Sequence, residues 1–63
     1  MYDLAGIDGN AFSVMGYVTK AMSREGKTEK EIADYKGLAM SGDYDNLLCE
    51  SMDIIDDLNQ EVE

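Results

Sequence analysis

Sixty-three residues hold one small domain, residues 1–63, and composition removes whole classes of chemistry from it. Five Lys+Arg against fourteen Asp+Glu leave a net charge of −9, and there is no His, Trp or Pro and a single Cys. Without His there is no Ser–His–Asp or Cys–His machinery and no His-ligated zinc; one Cys makes neither an internal disulfide nor a CxxC site.

The length also bounds stability. At 7.0 kDa, area scaling gives roughly 4,000 Å² folded and about 10,000 Å² unfolded. Apolar burial then contributes on the order of 90 kcal/mol, and ordering the chain costs about the same. A chain so balanced, lacking a metal or disulfide staple, is expected to gain stability by association, as a homodimer or on a partner.

Met1–Asn10 reads as an extended arm ending in a turn at Asp8-Gly9-Asn10, because Gly and Asn tolerate positive φ. Asp8 or Asn10 can cap the first helix. Helix one is predicted over residues 11–24, with Ala11, Val14, Met15, Val18 and Met22 on one stripe and Phe12 beside Gly16 and Thr19. Gly26 is the expected stop. Thr28-Glu29-Lys30-Glu31 fits a capping box, so helix two is predicted over residues 28–40 with Ile32, Tyr35 and Ala39 inward. Ser41-Gly42-Asp43 is the next break. Helix three, residues 44–60, shows the clearest period: Tyr44, Leu48, Ser51, Ile55, Leu58 and Val62 alternate steps of four and three. The expected fold is all-α, three short helices after an N-terminal arm.

Charge is segregated along the chain. All five bases (Lys20, Arg24, Lys27, Lys30, Lys36) fall in the middle, while residues 37–63 carry eight acids and no base. On helix three, Glu50, Asp53, Asp56, Asp57 and Glu61 repeat at three- and four-residue spacing, where each like-charge pair costs about 0.2–0.5 kcal/mol. Two readings stand: a solvated face that maintains solubility, or, with Asp45, a surface that docks a basic protein partner. The excess acid argues against nucleic acid as a partner, since that too is a polyanion. No apolar run is long enough for a membrane span, and cysteine usage points to the cytoplasm.

Catalysis and cofactors are not expected. Asp43-Tyr44-Asp45 opens like a calcium loop, but Leu47 and Leu48 occupy positions that need an oxygen ligand and a glycine. Cys49 sits among acids with no His, a poor setting for a nucleophile. No metal site and no catalytic residue are assigned. Apolar residues beyond what one short chain easily covers suggest an oligomer interface, with Tyr2, Leu4, Ile7, Phe12, Gly16, Tyr44, Leu48, Ile55 and Leu58 as its expected lining. A small ligand at a dimer interface is a weaker alternative; the excess acid argues against a nucleotide there unless Lys20, Arg24 and Lys27 converge.

The segments Gly6–Phe12, Met15-Gly16-Tyr17 and Ala39–Leu47 resemble a group of short proteins of Firmicutes and their phages that share an IDGNAF…MGY…SGDY pattern. That resemblance implies no particular activity. Short acidic proteins of mobile elements are similar, as a class, to phage counter-defence inhibitors. The likeness implies a non-enzymatic inhibitor in the host cytoplasm, blocking a defence or nucleic-acid-handling protein; the alternative is a structural or regulatory homo-oligomer.

Overall fold

In the computed structural model, which describes residues 2–61 (Glu61 by its backbone alone), three helices come after an irregular arm. They are α1 (Ala11–Arg24), α2 (Glu29–Met40) and α3 (Tyr44–Glu61), each packed on the other two. The all-α expectation holds, and each helix boundary falls within one residue of its expected place.

Local chemistry accounts for those boundaries. The Asn10 side chain accepts a hydrogen bond from the Ser13 amide at 2.8 Å and caps α1. At the other end Gly26 takes φ +83°, with its amide on Ser23 and that of Lys27 on Met22, the paired bonds of a Schellman stop. The capping box of α2 is complete: the Thr28 hydroxyl accepts from the Glu31 amide, and the Glu31 carboxylate accepts from the Thr28 amide. The Asp43 carboxylate caps α3 by accepting from the Asn46 amide at 2.9 Å. The Asn46 side chain then donates to the Leu38 carbonyl, joining the start of α3 to the last turn of α2.

The start of α1 (Phe12) shares a groove with the end of α2 (Met40) and the start of α3 (Tyr44). Near the other end, Met22 lines a second groove with Leu58. The path is therefore up, down, up. A surface of 4240 Å² and a radius of gyration of 10.8 Å lie close to the roughly 4,000 Å² and about 10.6 Å of an ordinary globule of this length.

The core is built from Val14, Val18, Ala21 and Met22 of α1, Tyr35 and Ala39 of α2, and Leu47, Ile55 and Leu58 of α3. The inward row of α3 is Leu47, Ser51, Ile55 and Leu58; Ser51, Ile55 and Leu58 lie on the expected stripe, while Leu47 takes the inward place at its start and Tyr44 remains 42% exposed. Val62 of that stripe lies outside the described residues. Ser51, fully buried, shares a hydrogen bond of 2.6 Å with the Tyr35 hydroxyl. Among the described residues no buried side-chain polar atom lacks a partner.

The arm is fastened rather than free. Asn59 grips the Tyr2 backbone at two points, accepting from its amide at 2.7 Å and donating to its carbonyl at 2.9 Å. The Tyr2 hydroxyl donates to Glu25 at 2.5 Å, and its ring meets Tyr17 edge-on, centroids 6.4 Å apart. That hydrogen bond to the Glu25 carboxylate, which favours the protonated phenol, raises the Tyr2 pKa above its ordinary value. The positive-φ residue of the arm is Gly6, at +84°, in the Leu4–Ile7 turn. This corrects the expectation for Asp8-Gly9-Asn10: Asn10 keeps φ −78°, as an N-cap requires. Replacing Asn59 by Leu should free residues 2–5 and cost about 1–3 kcal/mol through two lost bonds to half-buried backbone. Limited proteolysis of the arm, together with a urea midpoint, checks this; an arm cleaved no faster than in the parent would contradict it.

Candidate interaction surfaces

The acids of α3 track its helical sweep. Asp45, Asp53 and Asp56 stand exposed on the side away from the Leu47–Leu58 row. Exposed Asp57 and half-buried Glu50 lie on the flank toward α2. The Glu61 side chain lies outside the described residues. One side of α3 therefore presents five carboxylates, and the helix carries no base.

The α2 flank adds something that linear reading missed. An open groove of about 300 Å³ runs between α2 and α3, and across it Glu31 and Asp34 face Glu50 and Asp57. Its apolar floor is formed by buried Met22, Tyr35 and Leu58, with Leu38, Ile54 and Lys27 also in the lining. Glu31 and Asp34 sit three apart on one flank of α2, a spacing visible in the sequence, where Glu31 is accounted for by capping. Lys30 pairs with Asp34 at 3.6 Å on the surface, an exposed i,i+4 contact worth about 0.3–0.5 kcal/mol. Lys20 and Arg24 are on α1 and form no part of this lining, so the three cations required for an anionic ligand are not gathered there. Among the described residues, no three His, Cys, Asp or Glu side chains converge as a metal-holding group, and no helix is long and apolar enough to cross a membrane. Cys49 is exposed on the outer side of α3.

The residues expected at an oligomer interface divide three ways. Ile55 and Leu58 are 7% and 0% exposed and belong to the core, which corrects their assignment to an oligomer surface: the α3 stripe is covered by the chain's own α1 and α2. Tyr2, Leu4 and Leu48 are half-buried and pack against that core, occupied by the docking of the arm; Ile7 is half-buried within the arm itself. Phe12, Gly16 and Tyr44 remain on the surface, lining two adjoining grooves with Met15 and Met40. Phe12 is 80% exposed and Met40 67%. The Tyr44 hydroxyl donates to the Gly9 carbonyl, which fixes one edge of this apolar face.

Comparison with protein-family models, curated proteins and solved structures finds no match for the chain.

Proposed function

We propose that the chain is a non-catalytic protein-binding module that docks a basic surface of another protein through α3. In its most concrete form it is a mobile-element inhibitor that blocks a host defence or nucleic-acid-handling protein. The observation that carries this reading is the gathering of Asp45, Asp53 and Asp56 on the solvent side of α3, with Glu50 and Asp57 on its α2 flank, along a helix without a base. Clustered like charges weaken their own helix by a few tenths of a kcal/mol per pair. Solubility alone could be met by acids spread over all three helices. Concentrated on one helix, they form a field that speeds encounter with a basic surface and selects among partners. The apolar floor between Glu50 and Asp57 on one rim and Glu31 and Asp34 on the other suits the aliphatic stem and charged head of a Lys or Arg side chain.

The test starts from a partner captured from bacterial lysate, identified and purified. Changing Asp53, Asp56 and Asp57 to Asn should slow its association with this chain by roughly 10-fold or more at low salt. The parent's rate should fall as salt rises, and the variant's should fall less. Equal affinities for parent and variant across that salt range would remove the acidic face from the recognition.

A further inference from the structure

A second surface lies on the opposite side of the molecule and is independent of the acidic face. Phe12, Met15, Gly16 and Thr19 of α1, with Lys36 and Met40 of α2, line a groove, and α3 reaches this face only through its first residue, Tyr44, in the adjoining groove beside Phe12 and Met40. In a three-helix bundle that groove lies on the side away from the third helix, so the α3 acids point away from it. Residues 11–40 carry five bases and four acids, whereas residues 44–61 carry six acids and no base. For a chain of charge −9, this is where two identical copies meet with least repulsion.

Shape points the same way. Phe12 projects from α1 with 80% of its surface in solvent. One turn on, Gly16 leaves open space: a Cβ built there meets nothing within 4 Å. A projection and a notch one turn apart on one face are self-complementary, as an isologous two-fold contact requires. We infer that two copies of the chain associate through this face, the Phe12 of each seated over the Gly16 of the other and flanked by Met40 and Tyr44.

The area is adequate. Phe12, Met40 and Tyr44 at their observed exposures offer roughly 400 Å² per copy. With Met15, Thr19 and the stem of Lys36 around them, two copies cover about 1,000–1,200 Å², the lower bound for a specific contact. An area of that size fits a weak, reversible dimer. It leaves both α3 faces outermost, presenting two acidic surfaces per particle.

Sedimentation equilibrium of the full chain in reducing buffer, which prevents the exposed Cys49 from linking copies, tests this. From about 5 to 500 μM, the mass should rise from 7.0 kDa toward twice that value, the span a weak dimer covers. Phe12→Ser and, separately, Gly16→Gln should each weaken association at least about 10-fold with unchanged helical circular dichroism. Gly16→Gln has room for its side chain and a better helix propensity than Gly, so loss of the dimer there cannot be attributed to misfolding. Monomeric parent chain throughout that range, or a dimer indifferent to both substitutions, overturns the inference. Neither result bears on the acidic face, whose own test is the association rate of the triple Asn variant.

Discussion

Leu58→Ala is expected to leave the chain largely unfolded at 25 °C. Leu58 is fully buried in the core that all three helices share. Truncating such a leucine costs about 2–5 kcal/mol, from the lost transfer energy and from the cavity left behind. A domain of this length has roughly 3–5 kcal/mol to lose. The comparison is Met52→Ala on the same helix, where the side chain is 61% exposed and the cost should stay within about 0.5 kcal/mol. Urea titrations with circular dichroism at 222 nm separate the two. A Leu58→Ala midpoint close to that of the parent would mean that α3 is not the keystone of this core.

The second large effect concerns a polar contact inside the core. Tyr35 and Ser51 share a hydrogen bond of 2.6 Å with both residues buried. Removing one partner strands the other in an apolar interior, for about 1–3 kcal/mol. Ser51→Ala should be the costlier single change, because the Tyr35 hydroxyl loses its partner inside the core. In Tyr35→Phe, the serine can turn to the Leu47 carbonyl of its own helix. The double variant should lose less than the sum of the two, a coupling of about 0.5–3 kcal/mol.

Burial pushes the Tyr35 phenol above its ordinary pKa of 10.0; the Ser51 hydrogen bond opposes that shift and the charge of Glu50 adds to it. A raised folded-state pKa means that above about pH 10 the unfolded chain gives up this proton while the folded chain retains it. The stability contribution is therefore intact below pH 10 and is lost as pH rises through the folded-state value. Urea midpoints at pH 8, 10 and 11 should fall in the parent and fall less steeply in Tyr35→Phe, where the elevated Tyr2 phenol still titrates. A parent midpoint constant across that range contradicts the assignment.

The sequence is legible wherever structure is decided within about four residues. Asn10 before Ser13, Thr28 before Glu31, Gly26 after Arg24 and Asp43 before Asn46 each settle their own helix end with a bond that spans three to five positions. Whatever depends on two segments meeting is not legible. Ser51 reads as the one polar break in an apolar stripe, because its partner Tyr35 is sixteen positions away on another helix. Ala21 carries little apolar signal beside its larger neighbours on α1, yet it is 3% exposed because close helix approach selects small side chains. Phe12 and Leu58 are both large and apolar. Their opposite fates, one in solvent and one in the core, arise from the rotation of each helix about its axis, and tertiary packing sets that rotation. Of the acidic surface, the α3 half is visible as a charge run; the α2 half, Glu31 and Asp34, becomes part of it only once the two helices lie side by side.

The clasp between Asn59 and Tyr2 ties together positions 57 apart. Because one side chain holds both the amide and the carbonyl of Tyr2, this clasp on the arm holds only while the last turns of α3 are wound. The Tyr2 amide is thereby shielded from deuterium as long as the far end of α3 stays wound, so a segment without regular secondary structure inherits the exchange protection of a helix.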